Sequence, residues 1–95
     1  MTWRVIYHPE VEQDLRALGR AEARAALKAI SERIQNGEPG KSGKSLSGQL
    51  SGCRRLRTGN TRIVYRVNAG QIEVLIVAVG MRRNDEVYEA AGKRV

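Results

Sequence analysis

From Thr2 to Tyr7 the chain reads TWRVIY, with apolar and polar positions in alternation and β-formers prominent. A period of two places alternate side chains on one face of a sheet, so the segment predicts a first strand. The period then changes. Val11, Leu15 and Leu18 recur at helical spacing behind Pro9, which suits the first turn of a helix. Glu10, Glu12 and Asp14 complement the positive end of that helix's dipole, and Gly19 stops it. A second helix is predicted over 21–35, with Ala23, Ala26, Leu27, Ile30 and Ile34 along one face and Asn-Gly at its exit. The two helices should form an antiparallel pair.

The next stretch, GEPGKSGKSLSGQLSG at 37–52, is too rich in glycine and serine for continuous regular structure. Its GKS at 43–45 is not a phosphate-cradling loop, because Glu38 stands where that motif needs glycine and a helix precedes it instead of a strand. It is predicted as a mobile basic loop whose Lys41 and Lys44 can reach a phosphate backbone; a plain solvated linker fits the composition equally well. Three strands follow, CRRLRT, TRIVYRV and QIEVLIVAV, separated by turns so short that neighbours must be antiparallel. The last is almost wholly apolar and suits a central position. The terminal NDEVYEAAGKRV has helical character, with Asn84 or Asp85 as its cap, and is expected to be short and frayed. The order β-α-α-β-β-β makes an α+β fold: two antiparallel N-terminal helices packed on a four-stranded, mainly antiparallel sheet, with a short C-terminal helix.

A chain of 95 residues supports one core, so residues 1–95 are read as a single domain. Aromatics at 4% with no Phe leave the core to aliphatic side chains. The N-terminus lacks a long apolar run and no window approaches membrane-span length, so a cytoplasmic protein with no membrane partner is expected. Cys53 is the one cysteine and His8 the one histidine, far apart in sequence, which argues against a cysteine nucleophile. No His/Cys/Asp cluster has ligand spacing, so neither a metal nor another cofactor is expected.

The net charge of +7 is unevenly placed. Residues 1–40 carry six Lys/Arg and six Asp/Glu, whereas residues 41–95 carry eleven and four. Between Pro39 and Ile72 there are seven basic residues and no acid, a field that favours a polyanionic partner, nucleic acid or an acidic protein segment, over a merely soluble basic surface. Strand alternation brings Arg55 and Arg57 out on one face while Leu56 turns inward, and Arg62 lies across the tight turn from Arg57. Like charges on adjacent strands weaken a sheet unless an anion bridges them, and the planar guanidinium fork suits phosphate oxygens. Arg82 and Arg83 leave the end of the last strand, and Tyr88 follows within the terminal helix, where a ring can stack on an unpaired base. Spacing alone fits Tyr88 equally well as a packing residue. Solvation is the simpler account of Arg54 and Arg66, with Arg54 kept beside Lys41, Lys44 and Arg83 among the candidate RNA contacts.

Three segments in this order, VIYHPEVEQDLRAL, LSGQLSGCRRLRTGNTRIVYRV and VLIVAVGMRRNDEVYEAA, make the chain resemble a RelE-type toxin of the RelE/ParE toxin–antitoxin superfamily over almost its whole length. The resemblance implies a type II toxin that enters the decoding site of the ribosome and cuts messenger RNA there, without metal, by attack of a ribose 2′-hydroxyl on the adjacent phosphate. It implies a cognate antitoxin as partner, and it places catalytic roles on Arg55, Arg57, Arg62, Arg82 and Tyr88. Arg55 and Arg57 stand where the resemblance would place lysines, and a guanidinium with a pKa above about 12 is a poor base. The other branch of the superfamily, ParE, implies instead inhibition of DNA gyrase by protein binding, with nothing cut.

Overall fold

Leu56 and Ile63 sit opposite each other on neighbouring strands and are both fully buried, whereas Arg57 and Arg62, one step on, are opposite each other on the reverse face. That alternation organises the whole sheet. In a computed structural model, which describes every residue except Met1, Arg82 and Asn84, the strands are β1 (Arg4–Tyr7), β2 (Lys44–Ser45), β3 (Cys53–Thr58), β4 (Thr61–Asn68) and β5 (Glu73–Met81). They lie in the order β1-β5-β4-β3-β2, with β1 parallel to β5 and every other pairing antiparallel. The four expected strands are present, and β2 adds a two-residue edge.

Helices α1 (Val11–Leu18) and α2 (Arg20–Ala29) hinge at Gly19, whose φ of 89° is one a glycine adopts without strain. The second helix does not run on as α to residue 35. From Ile30 to Gln35 it widens into a π turn that keeps Ile30 and Ile34 buried. These helices cover one face of the sheet through Val11, Ala26, Ala29, Ile30 and Ile34, packed on Leu56, Ile63, Tyr65, Val74, Ile76 and Val79. A second, smaller core lies on the other face. There α3 (Glu86–Arg94) sets Val87 and Ala91 against Val64, Val77, Ala78, Cys53 and Leu50. Gly80 permits this approach, since a Cβ there would stand 3.1 Å from the Cβ of Val87.

Strand β5 serves both cores by alternation, and a bulge turns two consecutive residues to the α3 side. Val64 pairs with Ala78 and Tyr65 with Ile76, so Val77 is the extra residue, and Val77 and Ala78 both join the core under α3. The bulge lies where β1 stops: Tyr7 is opposite Ile76, and the His8 amide donates to the Ile76 carbonyl at 2.9 Å. Beyond it, β5 has no strand neighbour on that side. Asp14 and Arg94 take the strand's place. The Asp14 carboxylate accepts the Val79 N–H at 3.0 Å and two guanidinium N–H groups of Arg94 at 2.6 and 2.9 Å, while Arg94 also donates to the Val77 carbonyl at 3.1 Å. The C-terminal helix is therefore pinned at its last turn, not frayed.

Both side chains of this pair are largely buried, with 10% of Arg94 and 15% of Asp14 exposed. Removing one partner of such a pair typically costs about 3–5 kcal/mol. Asp14→Ala leaves the Val79 N–H without its acceptor and the guanidinium with only the Val77 carbonyl and Glu10 at 3.7 Å, whereas Arg94→Ala leaves the carboxylate still accepting from Val79. Asp14→Ala should therefore lose about 3 kcal/mol in urea unfolding and Arg94→Ala less, with clear non-additivity in the double variant.

Candidate nucleic-acid interface

Two cross-strand pairs carry the same sign of charge on the face under α3. Lys44 on β2 is opposite Arg55 on β3, and Arg57 on β3 is opposite Arg62 on β4. Directly opposed residues have Cβ atoms about 5 Å apart, a spacing at which like charges destabilise a sheet. No carboxylate among the described residues forms an ion pair with any of the four. Alternation puts all of them on one side, because Cys53 and Val64, which share their parity, belong to the core beneath α3.

The four differ in access. Lys44 and Arg57 are exposed and Arg55 is half-buried, its Nε proton shut away from solvent without an acceptor. Arg62 is only 5% exposed, and its Nη1 donates to the carbonyls of Gly59 at 3.2 Å and Thr61 at 3.3 Å in the turn. A guanidinium held by neutral carbonyls and no acid is a cation left without its counter-charge. Arg62 thus braces the tip of the β3–β4 hairpin and adds positive potential beneath Arg57.

Tyr88 projects from the helix over this same face and is half-buried against the smaller core, so packing accounts for part of its surface and part stays open. Arg82 lies outside the described residues. Arg83 is exposed and lines a groove of about 450 Å³ between α1 and α3 with Asp14, Leu18, Gly80 and Glu86, along the outer edge of β5; none of the four paired cations lines it, although Gly80 is opposite Arg62. Lys41 is exposed, 3.9 Å from Glu38, in a turn near Trp3 that is likewise separate from them. Arg66, opposite Cys53, shares the face of Arg62 and Arg55; the alternation of TRIVYRV already implied it.

Arg54 needs a correction. It points to the opposite face and is neither a solvated arginine nor part of the basic row. Its Nε donates to the Ser42 carbonyl at 3.0 Å and its Nη2 to that of Gly43 at 3.3 Å. The same contacts correct the mobile loop, which is tied down from below. Pro39 is buried, and the hydroxyl of fully buried Tyr65 lies 2.8 Å from the carbonyl oxygens of both Pro39 and Ser42, donating its single proton to one at a time. The Ser42 hydroxyl donates to the Arg33 carbonyl at 3.2 Å. Gly43, with φ at 66°, brings the chain so close to β3 that a Cβ would fall 2.0 Å from the Arg55 carbonyl oxygen. A polar, glycine-rich composition suggested a linker because these tethers come from residues distant in sequence.

Burial raises the Tyr65 phenol above its ordinary value, with Arg54 pulling it down. Burial likewise pushes the Cys53 thiol up, against a smaller opposing pull from Arg66, so this cysteine is not an activated thiolate. Among the described residues no group of three or more His, Cys, Asp or Glu could hold a metal ion, and no helix is long and apolar enough to cross a membrane.

A family model described as the ParE toxin of the parDE type II toxin–antitoxin system matches residues 5–86. The chain belongs to the RelE/ParE family of toxins. Among solved structures it is similar to the toxin–antitoxin complex RelBE2 from Mycobacterium tuberculosis, at 26% identity over 86% of this chain and 100% of that one, with a TM-score of 0.79. It is also similar to a mutant E. coli RelE toxin in the free state, at 26% identity, 100% and 99% coverage and a TM-score of 0.78. A third is the archaeal RelE–RelB complex from Pyrococcus horikoshii OT3, at 28% identity, 88% and 99% coverage and a TM-score of 0.65. No curated sequence gives a significant match. This RelE/ParE toxin is therefore a type II toxin whose basic pairs occupy the sheet face crossed by its C-terminal helix.

The Tyr65 hydrogen bond gives the loop's anchoring a measurable signature. Because the folded-state phenol has a raised pKa, its contribution is fully present below about pH 10 and is lost as pH rises through the folded value. Tyr65→Phe should cost about 1 kcal/mol at neutral pH and show a shallower fall in stability above about pH 10, read by urea unfolding across pH.

Proposed function

We propose that this toxin is a ribosome-dependent endoribonuclease that inhibits translation by cutting messenger RNA in the decoding site. The observation that carries the reading is the side-by-side placement of Lys44 opposite Arg55 and Arg57 opposite Arg62, with no acid among the described residues to balance them. A phosphate bound between the rows would turn their mutual repulsion into attraction, and bidentate guanidinium contacts would hold it in a defined orientation. The likeness to RelE structures at 26% identity supports the same branch.

In the proposed step the ribose 2′-oxygen forms a bond to phosphorus and the bond from phosphorus to the 5′-oxygen breaks. The 2′-hydroxyl proton passes to a base, and the departing 5′-oxygen takes up a proton, leaving a cyclic phosphate upstream. Arg57 neutralises charge on the five-coordinate phosphorus, a role in which one lost donor costs about 2–4 kcal/mol of barrier, and Arg62 beneath it adds to the positive potential. Arg55 and Arg57 order the phosphate and do not accept the proton, since guanidinium groups stay charged at neutral pH. Tyr88, at the margin of the α3 core, orients a base by stacking. Arg82 is assigned to transition-state charge by resemblance. A cognate antitoxin, as RelB is for RelE in the M. tuberculosis and P. horikoshii complexes, would silence the toxin by covering this positive face.

The second reading is inhibition of DNA gyrase, favoured by the ParE description of the matching family model. The two separate in one experiment: induce the protein and map 5′ ends on translated and untranslated copies of one transcript. Codon-phased cuts confined to the translated copy support the endonuclease; intact messages with double-strand DNA breaks support the gyrase reading. Arg57→Ala and Arg82→Ala should each lower cleavage about 30- to 1,000-fold while the protein still binds antitoxin, corresponding to the loss of one transition-state donor. Undiminished cleavage by either variant removes that arginine from the site.

A further inference from the structure

Of the two opposed pairs, Lys44 with Arg55 and Arg57 with Arg62, three members are guanidiniums, which hold their protons at neutral pH and offer no acceptor. Lys44 is the exception. The carboxylates of α3 turn away from it, since Glu86 and Glu89 line a groove with Glu10, Lys93 and Arg94 on the α1 side. His8 lines another with Leu15 and Leu27, against the N-terminal helices. Among the residues placed on this face, the Lys44 amine and the Tyr88 phenol can exchange a proton with solvent, the Cys53 thiol being buried. Of these two, the fold fixes Lys44. Strand β2 has two residues, too few to hold an edge by its own ladder, and the chain is clamped on either side of the lysine. Before it, the Ser42 carbonyl lies 3.0 Å from Arg54 Nε and 2.8 Å from the Tyr65 hydroxyl, and the Gly43 carbonyl accepts from Arg54 Nη2 at 3.3 Å. After it, the Leu46 N–H donates to the Cys53 carbonyl at 2.9 Å.

We infer that Lys44 is the proton acceptor of the cleavage step, an assignment that rests on the endonuclease reading above. Its backbone is held opposite Arg55, and diagonal neighbours across a strand pair lie about 7–8 Å apart, so Arg57 is within reach of the long lysine stem. The side chain is exposed and makes no ion pair among the described residues, which leaves the amine open to a ribose. In the step, the lone pair of the neutral amine takes the 2′-hydroxyl proton as the 2′-oxygen bonds to phosphorus. The bond from phosphorus to the 5′-oxygen breaks with its electron pair on that oxygen, which is protonated by water, and the Lys44 ammonium then returns its proton to solvent. The division of labour differs from the one the resemblance implies: the amine stands on β2, and Arg55 and Arg57 on β3 keep to holding the phosphate.

The test measures single-turnover cleavage of a ribosome-bound message by the wild type, K44A and K44R. Two messages are used, one with the ordinary linkage and one with sulfur in place of the 5′-oxygen, a leaving group that needs no proton. K44R and K44A should each cut both messages about 100-fold or more slowly, the loss expected for a general base. K44R keeps the charge, so its affinity for an uncleavable 2′-deoxy message should stay within about threefold of the wild type. Added primary amines should restore cleavage by K44A in proportion to their neutral form, a rescue that a merely structural or phosphate-holding lysine would not show. Wild-type cleavage by K44R overturns the assignment and leaves the endonuclease reading standing. A defect that vanishes on the 5′-sulfur message also overturns it, in favour of proton donation to the leaving oxygen, and so does a defect in K44A that no amine repairs. A wild type that cuts no ribosome-bound message refutes the endonuclease reading and the role of Lys44 together.

Discussion

The buried ion pair between Asp14 and Arg94 ties α1, the last turn of α3 and the edge of β5 together at one point. One carboxylate from α1 and one guanidinium from the last turn of α3 meet at the exposed edge of β5, where they satisfy the Val79 N–H and the Val77 carbonyl. An open edge of this kind costs hydrogen bonds if buried and invites foreign strands if exposed. Because the two side chains fill it, β1 can end at Tyr7 and the chain can turn into α1 at once. Because Arg94 is committed there, α3 is drawn across the face opposite the other helices. The smaller core holds the helix on that face as well, through Val87 and Ala91 against Val64, Val77 and Ala78.

The remaining open surface on that face accumulates positive charge at a cost to stability. Two like-charged pairs sit side by side, and Arg62 is almost wholly covered with only carbonyls for company. Some cations elsewhere meet acids, as Arg4 meets Glu73, Arg16 meets Glu12 and Lys41 meets Glu38. What sets this face apart is that like charges stand directly opposite each other across two strand pairs, a local violation of the rules for stability, the sort that marks sites used for binding. Arginine suits the place because it tolerates burial as an ion and offers donors in fixed directions.

Much of this was legible from alternation. Leu56 between Arg55 and Arg57, and Ile63 after Arg62, state which way each side chain points, and a two-residue turn at Gly59–Asn60 fixes the register that brings Arg57 opposite Arg62. The bulge at Val77 was hidden, since VLIVAVG is apolar on both faces and carries no phase to interrupt. The Asp14–Arg94 contact spans 80 positions, and Asp14 reads locally as a helix-dipole residue. The roles of Arg54 and Tyr65 in holding the Pro39–Gly43 turn were equally invisible, because side chains there bond to backbone carbonyls, which every residue has and no sequence pattern marks. Local periodicity reports faces; it does not report which distant backbone group a polar side chain will satisfy.

The two branches of this family pose the same limit in another form. A TM-score of 0.79 at 26% identity means that the buried positions preserve one packing while most of the chain has changed. Packing requires only that Leu56, Ile63, Val77 and their neighbours be apolar and of suitable volume, a demand that a nuclease and a protein-binding toxin meet equally. What separates the branches must lie in side chains the core does not constrain. Arg55 and Arg57 are such residues: replacing the lysines that the resemblance would place there keeps the charge that orders a phosphate but gives up an amine able to lose a proton. On the endonuclease reading the proton acceptor is a group other than these two guanidiniums, the Lys44 amine on the same face being one, while anion binding needs no acceptor, and that difference would separate the two by substitution on one and the same scaffold.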